Sequence, residues 1–199
     1  MTLALEGFSG IGEALLFMVA CIVTSNFVFS RALGVLPFSA KGDHVKAAAG
    51  IGVCVAAVMT AVSFLGFALY QWVLVPLDAA YLSTICFLAL IAAVTFAGQA
   101  ILKKKNPDLG MYFPLVMGNG AVLGVVLLNT LGQYGLVKSV LSGLFGGIGF
   151  LVAIVLIVGV RERLETSKVP KALRGFPITL VSAGLMSLAF MGFMGIAGH

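Results

Sequence analysis

Acidic side chains are missing from the depth of every long apolar run in this chain. Of seven Asp and Glu residues, only Glu13 falls inside one, close to its start. A carboxylate relay for protons or sodium ions built from this chain alone is therefore not expected. Histidine is nearly absent too: His44 lies between runs and His199 at the end of the sequence. Three cysteines, Cys21, Cys54 and Cys86, share no paired spacing and read as packed apolar thiols. These absences exclude a His/Cys metal cluster of familiar spacing and a hydrolytic triad. Charge itself is scarce. Charged residues make up 10% of the chain against 61% hydrophobic, with a mean hydropathy of +1.15. A water-soluble core has no use for so much apolar surface.

What is present is six apolar runs, at about 11–36, 47–70, 82–102, 112–131, 138–160 and 176–197. Each reaches the roughly 20 residues that carry a helix across about 30 Å of hydrocarbon. Lipid cannot satisfy a free backbone group, so helices are expected, and the short alternating segments of a β-barrel do not occur. The fold expected is an all-α membrane protein forming one domain over 1–199.

The net charge of +5 follows from where the cations stand. Arg31, Lys41 and Lys46 surround the first gap, Lys103, Lys104 and Lys105 fill the third, and Arg161, Arg163, Lys168, Lys171 and Arg174 fill the fifth. The second and fourth gaps hold only Asp78, with Lys138 at the edge of the fourth. The excess of Lys and Arg places the first, third and fifth gaps in the cytoplasm and both termini outside. It is a topology signal and does not point to nucleic acid. Residues 1–12 contain no Lys or Arg, the wrong flank for a secretory leader, so no cleavable signal is expected. Tyr70, Trp72 and Tyr81 flank the second gap as an interfacial belt.

Three runs precede the middle of the chain and three follow it, so halves at about 11–102 and 112–197 must enter the membrane from opposite sides. That is a 3+3 inverted repeat. The first run of each half carries an Asn-centred interruption: Thr24-Ser25-Asn26 in one and Gly118-Asn119-Gly120 in the other. The first run is also too long, about 39 Å as a straight helix. The first and fourth helices are therefore expected to be interrupted, with Asn26 and Asn119 either lining a site near the midplane or serving as interhelical hydrogen-bond glue. Gly143, Gly146, Gly147 and Gly149 read as a face for close helix packing, because no strand precedes them to form a nucleotide loop. Ala183, Gly184, Gly192 and Gly195 read the same way in the sixth run. Arg31 has two readings: snorkelling at a cytoplasmic helix end, or lying deeper if the helix breaks at Asn26.

Several segments together resemble one family over nearly the whole chain. They include Ser25-Asn26-Phe27-Val28, Pro37-Phe38, Val75-Pro76-Leu77, Phe113-Pro114-Leu115, Asn119 with Ala121-Val122-Leu123-Gly124, Leu127-Leu128-Asn129, Arg161-Glu162-Arg163-Leu164 and Ala183 through Phe193. The family is that of the RnfA and NqrE membrane subunits, and the last segment favours RnfA. The resemblance implies a bacterial inner-membrane complex of the Rnf type, moving electrons between ferredoxin and NAD while transporting Na+ or H+. Alternatives are an NqrE-type subunit of a sodium-translocating NADH:quinone reductase, or a cluster-free scaffold or carrier of the same fold. It implies as partners a homologous subunit of opposite orientation (RnfE-like), other Rnf subunits and membrane lipid. It also implies a 2Fe–2S cluster held between the two homologous subunits, each giving two cysteines.

At the two ligand positions this chain has Leu36 and Gly120, neither of which has a donor atom to offer iron. The acidic residue that the family carries in the third span is replaced by Gly98 or Gln99. The expectation is a non-catalytic subunit with no cofactor of its own, the family cluster being absent or altered.

Overall fold

A computed structural model of the chain describes residues 11–31, 33, 45–105, 116–165, 170 and 173–195. All regular structure among these residues is helical. Helix α1 covers Ile11–Val19 and runs on as a π-helical turn, Ala20–Thr24. Helix α2 covers Val45–Leu69 and ends in a second π-turn, Tyr70–Leu74. A 3-10 turn at Ala80–Leu82 leads into α3, Ser83–Lys105. Then follow α4, Gly120–Leu131, α5, Leu136–Glu165, and α6, Phe176–Met191, which tightens into a 3-10 turn at Gly192–Gly195.

Three stretches, Ala47–Leu74, Ala80–Lys103 and Leu136–Leu164, are long and apolar enough to cross a membrane. The others are shorter: Gly12–Thr24, Gly120–Leu131 and Pro177–Met191. Twelve residues of α4 make about 18 Å of helix, well short of a bilayer core. The first run thus stops at Thr24 rather than continuing toward residue 36, and in the fourth Val116 and Met117 are helical, Gly118 turns and Asn119 is non-helical before α4 begins. Loss of helix at these two places follows from the Ser, Asn and Gly residues there, whose side chains or bare backbones favour turns and caps.

The core is built on α2 and α5. Val55, Val58, Met59 and Val62 of α2 are buried, as are Phe150, Ala153, Ile154 and Ile157 of α5. Glycines let the two axes approach. A Cβ at Gly147 would lie 2.5 Å from the Ala56 Cα, and one at Gly143 would lie 2.7 Å from the Met59 carbonyl oxygen. Gly146 and Gly149 do the same for the first segment, receiving the Phe27 ring and the Ile22 backbone. In lipid, where apolar side chains gain nothing over the tails they displace, such close backbone contact is a main source of helix association. The start of α2 is also tied to the end of α5: the Val45 N–H donates to Glu162 Oε1 at 3.3 Å.

The sixth segment departs from expectation. Ala183 packs against the core, but Gly184 and Gly192 have no described residue within 4 Å of where a Cβ would stand and are not packing glycines within the described part of the chain. Helix α6 is instead held through side chains. Its Phe190 ring lies 4.5 Å from that of Phe29, and Ser187 Oγ donates to the Phe29 carbonyl. Gly175, at φ +92°, occupies a conformation natural to glycine and turns the chain into α6 ahead of Pro177.

Candidate functional site

At the end of the first π-turn the Ser25 N–H donates to the Ala20 carbonyl at 2.7 Å, and regular helix then ceases. Asn26 takes over the bonds the helix would have made. It is wholly buried. Its Nδ2 donates to the Ile22 carbonyl at 2.9 Å and to the Gly149 carbonyl of α5 at 2.8 Å. Its Oδ1 accepts from the N–H groups of Val28 at 2.9 Å and Phe29 at 3.4 Å. One side chain therefore caps the broken end, orders the turn after it and ties both to α5. An amide offers two donors and two acceptor sites, and all four are used.

Asn119 is built differently. It is the N-cap of α4, its Oδ1 accepting the Ala121 N–H at 2.9 Å. It is 3% exposed, yet among the described residues its Nδ2 has no hydrogen-bond partner. Asn26 and Asn119 do not bond to each other, but their segments meet. Leu33 reaches α4 and would contact a Cβ at Gly120 at 3.7 Å, an ordinary van der Waals distance. Phe27 and Leu33 both face Gly124. A Cβ at Gly120 would meet no other described residue within 4 Å, so close packing among the described residues does not demand glycine there. Leu36 lies outside the described residues.

Among the described residues no three His, Cys, Asp or Glu side chains stand close enough to hold a metal ion, at this junction or elsewhere. Cys21 lies on the π-turn, Cys54 in α2 and Cys86 in α3, all as free thiols. Gly120 brings no side chain and Leu36 no lone pair, so neither offers the thiolate that the cluster implied by the resemblance would need.

A second feature was not foreseen from the sequence. A cavity of about 550 Å³ opens between the end of α2 and the α4–α5 connection. Its lining includes Ser63, Phe67, Tyr70, Asn129, Tyr134 and Lys138. Asn129 Nδ2 donates to the Ser139 carbonyl at 3.2 Å and to Ser63 Oγ at 3.4 Å, while its buried Oδ1 has no partner among the described residues. Lys138 is positioned by Glu13 at 3.8 Å and by the rings of Phe17 and Tyr134, each with its centroid 5.7 Å from the ammonium. Burial raises the pKa of the Tyr134 phenol, with a further rise from Cys21, while the Arg31 charge pulls it down. Arg31 is exposed, on the turn that follows the first break. The sequence signals were slight: Lys138 is the only Lys or Arg outside the three basic gaps, and Asn129 is the second of two amides in the fourth apolar run.

Residues 14–197 match the family model described as Rnf-Nqr subunit, membrane protein. The chain belongs to the Rnf-Nqr subunit family. Among similar Rnf-Nqr relatives is the A subunit of the Na(+)-translocating ferredoxin:NAD(+) oxidoreductase complex of Acetobacterium woodii. It is 45% identical over 183 residues, covering 90% of this chain and 95% of that protein. The A subunit of the ion-translocating oxidoreductase complex of Pectobacterium carotovorum is 41% identical over 188 residues, covering 92% and 97%. Its counterpart from an Azoarcus species is 40% identical over 191 residues, covering 94% and 99%. For this Rnf-Nqr subunit the match runs through both Asn-centred breaks and the cavity, so neither feature belongs to an appended region.

Proposed function

We propose that the chain is an integral membrane subunit of an Rnf-type ion-translocating electron-transport complex, of the class that couples ferredoxin:NAD oxidoreduction to ion transport. Near full-length similarity to proteins bearing that name carries the reading. The apolar helices agree with it. The subunit is non-catalytic: its contribution is a helical frame and a surface for other Rnf subunits, including an RnfE-like homologue of opposite orientation. The six segments α1 to α6 form a 3+3 inverted repeat in a bacterial inner membrane. The three basic gaps face the cytoplasm and both termini the outside.

This subunit does not carry its share of a 2Fe–2S cluster. Leu36 and Gly120 stand where the resemblance places ligands, and neither can bind iron. Asn26 and Asn119 hold the two broken segments beside each other, as a packed joint on the first side and with spare donor capacity on the second.

Affinity purification through a tagged chain from native membranes is expected to bring down flavin-bearing and ferredoxin-like subunits. Deleting the gene is expected to abolish ferredoxin-dependent NAD reduction in those membranes. Unchanged ferredoxin activity after deletion, with loss of NADH-dependent quinone reduction, would overturn the assignment in favour of a quinone reductase.

A further inference from the structure

The cavity beside α2 and the α4–α5 connection is unused by the function proposed above, and its walls are of two kinds. Phe67, Val75 and Val126 give it apolar sides, while Ser63, Asn129 and Gln71 give it polar patches. A purely aqueous vestibule would have no reason for the first set, and a site for an apolar molecule none for the second. An amphiphile meets both. The level in the membrane agrees. Tyr70 lines the cavity, and Trp72 and Tyr81 stand out nearby, 72% and 82% exposed, as interfacial anchors do. Ser63 lies seven residues before Tyr70 on the same helix, so the cavity floor is about 10 Å beneath that belt. The cavity therefore runs from the headgroup level into the upper acyl region, the span that a lipid occupies.

Charge and hydrogen bonding narrow the ligand. Lys138 is a fixed ammonium in the lining, held by Glu13 and by the rings of Phe17 and Tyr134. A phosphate is attracted there. A headgroup with its own ammonium would set like charge against Lys138. At the floor, the Asn129 amide is oriented by the Ser139 carbonyl, which needs a donor, so Nδ2 faces it and Oδ1 is left as a buried acceptor. That oxygen calls for a hydroxyl. At about 30 Å³ per water, 550 Å³ equals roughly eighteen waters, enough for a headgroup with several of them.

We propose that this cavity binds the headgroup of an anionic glycerophospholipid bearing free hydroxyls, of the phosphatidylglycerol type, with its phosphate toward Lys138 and a hydroxyl toward Asn129. The inference needs only that the chain lies in a bilayer.

The test uses the intact complex, purified through this chain and stripped of lipid. It is titrated with phosphatidylglycerol, phosphatidylethanolamine or soluble glycerol 3-phosphate, with bound lipid read by native mass spectrometry and stability by the melting midpoint. Phosphatidylglycerol is expected to be retained and to raise the midpoint, and the other two to do neither. Lys138→Met keeps the stem against Phe17 and Tyr134 and removes the charge, and is expected to weaken retention about tenfold. Gln133→Glu, at an exposed lining position, places a negative charge without disturbing helix packing and is expected to act in the same direction should the Lys138 variant not assemble. Equal retention of the two lipids, or no retention, would overturn the site. Stabilisation by glycerol 3-phosphate alone would make it a soluble-ligand site and overturn the lipid assignment. Undiminished retention in both variants would equally sink it. Retention is read without electron transfer, so a complex that holds the lipid but lacks ferredoxin activity counts against the proposed function alone.

Discussion

Gly147→Val is expected to keep α2 and α5 apart and leave no folded subunit to purify. A Cβ there would sit 2.5 Å from the Ala56 Cα and 2.7 Å from its Cβ. The first of these neighbours is backbone, so no rotamer change relieves the overlap and one helix must shift along its length. Ordinary overpacking costs about 1–3 kcal/mol because side chains can give way. Here the largest contact surface in the molecule is at stake, so the loss should exceed that range. Gly184→Ala is the matched control. No described residue lies within 4 Å of its added methyl, and helix propensity favours alanine, so its effect should be within about 1 kcal/mol and stabilising in sign. Size-exclusion profiles and melting midpoints of the two variants in detergent provide the comparison. A Gly147→Val protein that elutes and melts like the parent would show that the α2–α5 approach is not as close as described.

Asn26→Ala and Asn119→Ala, the same substitution at the two helix breaks, are expected to differ sharply. The first strands four backbone groups: the carbonyls of Ile22 and Gly149 and the N–H groups of Val28 and Phe29. A buried group left without a partner costs about 1–3 kcal/mol. Interhelical bonds measured in membrane proteins average nearer 0.6 kcal/mol, since the freed groups often find other partners. The Gly149 carbonyl still accepts within its helix, so its loss belongs at the low end. The two N–H groups sit in a turn with no helical acceptor behind them and belong at the high end. A total of about 3–4 kcal/mol follows. Asn119→Ala removes one cap bond, to Ala121, and should cost about 1 kcal/mol. Chemical or thermal unfolding of the two variants measures the ratio. Similar losses at both positions would mean that Asn26 is not the tie between the break and α5.

Much of this architecture is legible in the sequence because lipid leaves few choices. Apolar length and the position of Lys and Arg fix where helices run, and Gly143, Gly146, Gly147 and Gly149 mark the contact face by their spacing alone. The Asn-centred breaks are legible for a related reason: a polar amide inside hydrocarbon must replace missing backbone bonds. Gly184 and Gly192 mislead because a small residue in a membrane helix signals close packing only if a neighbour stands opposite, and sequence does not say where neighbours stand. The cavity is invisible for the same reason. Ser63, Asn129 and Lys138 are ordinary one by one, and Ser63 is far from the other two in sequence. The crossing of α2 with α4 and α5 brings them together.

The most direct test of the central claim is iron analysis with low-temperature EPR on this chain purified with the RnfE-like homologue proposed as its partner, after reduction. The expected result is no 2Fe–2S signal from the native pair. A signal should appear once Leu36→Cys and Gly120→Cys are combined, a Cβ at Gly120 making only an ordinary contact with Leu33. A 2Fe–2S signal from the native pair, with stoichiometric iron, would contradict a junction without sulfur donors.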